Sequence, residues 1–445
     1  MSNRDQPDIV QLSDEEREIL DYMMAQENAG TTIAIWSGDT PAPLSFSQQR
    51  IWFIQMLDPD SAAYVIPLAY RISGETDESA LTRALQAVVL RHDSLRTRYV
   101  EQEGKPVQIP EPQAEVLLPV TDISTLTAEQ SAERVKQTLR AESRHPFDLT
   151  RGPLLRASLL RLGNAERVLI LGLHHIAADA GSIAILMREL MVLYRAFARS
   201  EASPLAPLPI QYPDYAAWQR ERLDTEKVKR LLSYWRRQLE GVQTLELATD
   251  RPRPAMLTHA GGLQSIRFSA GVNERVRRLA TQDRATPFMV MCAVLSILLA
   301  RRSGQREVVV GFPIANRSLP ELEPLIGLFV NMLVLRVDLS GDPDFHQLLA
   351  RVRATVMDAF AHQELPFERL VEELKPERDE SRNPLFQVTF VLHDLPTGTA
   401  TQESPAFVKL PRETVSTHFD LEFELFASTQ DLALALTYNT DLFDA

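Results

Sequence analysis

One strand followed closely by one helix constrains this chain most. VLILGLHH at 168–175 is an apolar run introduced by the turn residues Gly163 and Asn164. GSIAILMRELMVLYRAF at 181–197 then carries apolar residues at 183, 186, 187, 190, 194 and 197, the spacing of a helix with one buried stripe. The first segment predicts a core strand and the second an amphipathic helix. Between them lies HHIAADAGS, with two adjacent histidines and an aspartate four residues after the second.

The same alternation runs along the chain. Helical patterns occur at 45–57, 77–95 and 269–285, and strand patterns at 64–74, 96–100, 306–316, 331–339 and 385–394. Interspersed strands and helices predict an α/β or α+β fold. At 445 residues the chain is too long for one ordinary core and predicts two or three, arranged as lobes. The proline-rich stretch SEASPLAPLPIQYPD at 200–214 is the expected boundary, giving one lobe at 44–210 and a second at 211–445. Residues 1–43 read as an appendage, with a helix at 13–26 opened by Ser13 and Glu16 at capping-box spacing and then a linker. The chain stops just after a strand pattern, which reads as a cut from a longer polypeptide.

Composition excludes some partners. A net charge of −13 argues against nucleic acid or an anionic membrane as a binding surface. The one cysteine, Cys292, permits no intrachain disulfide and points to a reducing, cytoplasmic setting. It lies in FMVMCAVLSILLA, an expected buried helix that is too short to span a bilayer.

The pair His174–His175 admits three readings: the satisfied end of a core strand, a metal site, or an acid–base site. Side chains alternate along a strand, so the two rings point to opposite faces and cannot share one task. A metal would need further ligands, and no His/Cys/carboxylate cluster stands nearby. Asp179 lies where it can cap the following helix, meet an arginine or orient a histidine. No Gly-x-Ser-x-Gly elbow, Walker A sequence or Gly-x-Gly-x-x-Gly run is present, which removes support for serine hydrolase, NTPase and Rossmann readings.

HHIAADA resembles the His-His-x-x-x-Asp-Gly motif of nonribosomal peptide synthetase condensation domains, with Ala180 where that family carries glycine. Six further segments resemble the family's other motifs in order. They are SFSQQRIWF at 45–53, RHDSLRT at 91–97, YPDYAAWQ at 212–219, IGLFVNMLVLR at 326–336, HQELPFE at 362–368 and RDESRNPLF at 378–386. Together they span about 400 residues.

The resemblance implies two chloramphenicol-acetyltransferase-like lobes, each a mixed sheet packed with helices, set as a V-shaped pseudo-dimer that lacks its last helix here. It implies an acyltransferase that joins a carrier-bound donor thioester to the amine of a carrier-bound acceptor, in the subtype that joins two L-residues. Same-fold alternatives are an ester-forming or starter-acyl-loading variant and a non-catalytic recruitment module. An epimerisation domain would differ around RDESRNPL, and a heterocyclisation domain would carry aspartate in place of the histidine pair.

By the same resemblance, His175 is the catalytic, channel-facing histidine and His174 the structural one. Asp179 is expected to form a buried pair with Arg91 or Arg96. Ala180, Gly181, Ser182, Asn331 and Ser416 are expected to shape the channel, with STHFDLEF at 416–423 facing it. No metal or cofactor is expected on the domain itself. The substrates would ride on 4'-phosphopantetheine arms of an upstream donor and a downstream acceptor carrier protein, with an adenylation domain following.

Overall fold

A computed structural model describes residues 32–38, 40–163, 165–223, 225–377, 379–394, 406–410, 415–428 and 431–445. The helix expected at 13–26 lies outside them.

The first half contains β1 (Ala42–Pro43), α1 (Phe46–Leu57), β2 (Val65–Ser73), α2 (Glu78–Arg91), β3 (Thr97–Gln102) and β4 (Lys105–Pro110). These are followed by β5 (Val120–Asp122), α3 (Ala128–Ser143), β6 (Leu155–Arg161), β7 (Glu166–His174) and α4 (Ala180–Ala198). The predicted strand is β7, flanked by β2 and β6, both antiparallel to it. Its continuous apolar run follows from burial on both faces. Leu169, Leu171 and Leu173 enter the main core under α2 and α4, while Val168 and Ile170 pack into a smaller cluster with Leu139 of α3. Each such side chain contributes about 1.5–3 kcal/mol by leaving water.

The second half runs through α5 (Tyr212–Arg222), α6 (Thr225–Gln238), β8 (Ala260–Arg267), α7 (Ala270–Gln282), α8 (Pro287–Ser303), β9 (Glu307–Ile314) and β10 (Asn331–Asp338). It continues with α9 (Phe345–Ala361), α10 (Phe367–Leu374), β11 (Val388–Asp394), β12 (Ala406–Lys409), β13 (Val415–Ser416), β14 (Leu421–Ala427) and β15 (Leu432–Asn439). Seven strands form one sheet in the order β10-β9-β11-β14-β15-β8-β13. A second large core, rich in phenylalanine from α8, β9 and β11, lies against it. Cys292 is buried in α8, and burial pushes its thiol up to about 12. Among the described residues no single helix is long and apolar enough to cross a membrane.

The fold class expected from sequence, mixed α/β with two sheet-centred cores, is the one observed. The boundary expected at 211 does not separate the cores. Tyr212, Tyr215 and Ala216 of α5 pack in the first core, as do Leu319, Leu322, Leu325, Ile326, Leu328 and Phe329 from the segment before β10. Strand β12, late in the chain, pairs antiparallel with β2 and completes the first sheet. The proline-rich stretch ends the helical pattern of α4, but the apolar residues beyond it still have to be buried where their neighbours are.

Candidate active site

The end of β7 sends the two histidines into different surroundings. His174 is buried. Its Nδ1 accepts from the Ile176 N–H at 3.1 Å, so the proton sits on Nε2, which faces Gln55 Oε1 at 3.4 Å. Phe147 meets the ring edge-on at 5.9 Å. Burial, then the charges of His175 and Arg156, hold its pKa down at about 3. His174 is a neutral core residue at physiological pH.

His175 has left the ladder. Its N–H donates to the Tyr64 carbonyl at 2.8 Å, and its side chain is half-buried. Its Nδ1 has no hydrogen-bond partner among the described residues. Burial lowers its basicity, and the backbone polar groups of His175 and Ala178, with the Asp179 charge, only partly oppose this. The ring is therefore unprotonated near neutral pH.

Asp179 is used up as a brace. It caps α4, with Oδ1 accepting from the Ser182 N–H at 2.8 Å and the Ser182 hydroxyl at 2.7 Å. Its Oδ2 accepts from the N–H groups of Phe329 and Val330 at 2.9 and 3.1 Å. Ser182 Oγ also accepts from the Gly327 N–H at 3.0 Å and lies 2.7 Å from the Gly327 carbonyl, which competes with Asp179 for its single proton. A Cβ on Gly327 would lie 1.9 Å from the Tyr212 ring, so only glycine lets this segment close on the histidine loop. Four lone-pair directions on Asp179 are committed, which leaves it no role as a proton carrier.

The expected partner arginines are corrected. Arg91 Nε bonds Glu189 at 3.1 Å, and Arg96 bonds Asp93 within its own turn. Glu189 sits ten residues beyond Asp179 on α4, roughly 15 Å along the helix. The end of α2 therefore meets α4 in its middle and not at its cap. His92 joins them, with its Nε2 2.8 Å from Glu189 and its Nδ1 accepting from the Ile326 N–H. The cation at Asp179 is Arg317, 3.5 Å away and stacked 4.1 Å over the Phe329 ring. It comes from the loop after β9, far off in sequence, in a segment that carries no recognised motif.

Asn331 is also corrected as a channel residue. It is buried, and its amide spans the carbonyls of Gln363 and Leu365 and the N–H groups of Met332 and Phe367. It ties β10 to the start of α10. Ser182 is likewise buried in the brace. Ala180 is the first residue of α4, exposed and without a positive φ, and a Cβ on Gly181 would make only ordinary contacts. Neither position requires glycine. Ser416 is exposed on β13, paired with Ala260.

Other groups gather round His175 that the sequence pattern left without roles. Arg50 of α1 faces Glu368 of α10 at 3.7 Å, joining the first and sixth motif-like segments across the two halves. Glu368 Oε2 is buried without a hydrogen-bond partner among the described residues. The Tyr64 ring stacks on His418 at 5.1 Å, and His259 meets His418 nearly edge-on at 5.0 Å. The signal for Arg50 and Glu368 was their place inside motifs, and for His418 its place inside STHFDLEF. Among the described residues no three His, Cys, Asp or Glu side chains are grouped to hold a metal ion.

The site thus consists of a neutral, half-buried histidine on a strand-to-helix loop beside an aspartate brace. The condensation-domain family model matches residues 39–445, and the chain belongs to that family. One of the linear gramicidin synthase polypeptides of Brevibacillus parabrevis is 42% identical over 92% of this chain, which spans only 8% of that relative's length. The X-domain from teicoplanin biosynthesis matches with a TM-score of 0.84 at 30% identity over 93% of each chain. The first condensation domain of the calcium-dependent antibiotic synthetase shares the fold at a TM-score of 0.75, 23% identity and 92% coverage of each chain.

Proposed function

We propose that the chain forms an amide bond between two carrier-tethered substrates, a donor acyl or peptidyl thioester and an acceptor aminoacyl thioester. The observation that carries this reading is His175, a half-buried, unprotonated imidazole, while its neighbours His174 and Asp179 are fully engaged. An α-amine with a pKa of about 8 is partly neutral at physiological pH. Its nitrogen attacks the thioester carbon, the C–S bond breaks with its electron pair on sulfur, and the nitrogen loses one proton. His175 takes that proton or holds the amine in line. The thiolate leaves on the donor's phosphopantetheine arm and is reprotonated there.

A thioester is already activated, so bringing two dilute reactants together supplies much of the acceleration. Base assistance adds about 10²–10⁴-fold. We assign the donor and acceptor carriers, an adenylation domain in the full assembly, and joining of two L-residues as parts of the same reading.

The likeness to the X-domain favours a second reading, since that domain has been solved in complex with OxyB. Under it, the fold recruits another enzyme and makes no bond. One experiment separates the two. Two carriers loaded with L-aminoacyl groups are mixed with the protein, and condensed product is sought by mass spectrometry. Product that is lost in a folded His175→Ala variant supports condensation. No product from the wild-type chain with any tested pair favours recruitment.

A further inference from the structure

His418 comes from the turn between β13 and β14, yet its ring lies on the other half of the molecule. It stacks on Tyr64, whose backbone carbonyl holds the His175 N–H. The turn that presents it is locked. The His418 N–H donates to Glu422 Oε1 at 2.9 Å, its carbonyl accepts from Asn383, and the Thr417 N–H bonds the His259 carbonyl. His259 supports the ring from the side, with its own Nδ1 2.9 Å from the Thr417 carbonyl.

A structural histidine held this firmly would normally spend its ring nitrogens on partners, as His92 and His174 do. Neither ring nitrogen of His418 has a hydrogen-bond partner among the described residues, and the side chain is half-buried. Burial, with His259, His175 and Arg50 near enough to add to it, holds its pKa down at about 3. The ring is thus neutral and keeps one nitrogen as an acceptor. Tyr64, beside it, also offers a hydroxyl without a described partner.

We infer that His418 is a second imidazole of the site, accepting a hydrogen bond from the acceptor's amine and so selecting a primary amine over nucleophiles with a single hydrogen. This rests on the condensation reading above. A primary amine carries two N–H bonds and one lone pair. One hydrogen leaves as the C–N bond forms, and the other remains as the amide N–H. Holding the retained N–H on His418 while His175 serves the departing one aims the lone pair at the thioester carbon. An alcohol or a secondary amine has only one hydrogen, which His175 alone would serve.

The test compares alanyl and N-methylalanyl acceptors on the same carrier with wild type, His418→Phe and His418→Gln. Phenylalanine keeps the stack on Tyr64, and glutamine keeps a hydrogen-bond acceptor. The expected result is an alanyl turnover about 10–100-fold lower in the Phe variant, largely restored in the Gln variant, with N-methylalanyl turnover unchanged in both. Wild-type alanyl turnover in the Phe variant overturns the inference, as does an equal loss in both variants or for both acceptors. Those outcomes leave the condensation reading standing. A wild-type chain that makes no product sinks that reading and this inference together.

Discussion

Asp179 and His175 lie four residues apart on one loop, and their surroundings follow opposite rules. Around Asp179 every strong polar atom has a partner. The carboxylate, Ser182, Arg317 and the backbone of 327–330 saturate one another. Around His175 they do not. Its Nδ1 and one oxygen of Glu368 are buried with no hydrogen-bond partner among the described residues. Unmade hydrogen bonds in a half-buried place raise free energy, and they persist where a substrate completes them. On this loop the saturated polar groups brace the fold, and the unsaturated ring belongs to His175.

The strongest attack on that contrast is removal of the brace. Asp179→Ala leaves Arg317 buried without its carboxylate and frees three backbone N–H groups, so unfolding free energy should fall by about 3–5 kcal/mol in denaturant titration. A loss below about 1 kcal/mol would show that the brace is dispensable.

His175→Ala should behave in the opposite way. Product formation should fall about 10²–10⁴-fold while the denaturant midpoint stays near wild type. A variant that loses stability as strongly as Asp179→Ala would erase the distinction between the two sides.

The buried histidine gives a smaller, pH-dependent effect. His174 binds its proton near pH 6.5 when unfolded and only near 3 when folded. The unfolded state therefore holds more protons between those values, and stability present above pH 6.5 is lost as pH falls towards 3. His174→Phe should flatten the acid limb of a stability profile by up to about 1.4 kcal/mol per pH unit. An unchanged slope would mean that His174 is not held neutral by the fold.

The least effect is expected at Ala180. As an exposed first residue of α4 it should tolerate glycine with a stability change below about 1 kcal/mol and a turnover within about twofold. A larger change in rate or acceptor choice would show that this methyl group shapes the substrate path.

Much of this arrangement was legible in the chain alone. Continuous apolar residues at 168–173 require a strand covered on both sides, and strand alternation anticipates the parting of His174 from His175, although His175 lies just past the strand. The spacing of Asp179 ahead of an apolar helix marks a cap, and it is one. These features are local, set by side-chain period and by the unpaired N–H groups that every helix start must satisfy.

The partners were not legible. Arg317 was passed over for Arg91 and Arg96, Asn331 was placed in a channel, and His418 stood in a motif without a role. Which cation reaches Asp179 depends on where the 316–330 loop packs, 138 residues away. Whether an imidazole is saturated depends on which turn lies across from it. The sequence determines periods, caps and the chemistry present. Only the tertiary structure decides which polar groups find partners, because that turns on burial and on contacts between distant segments.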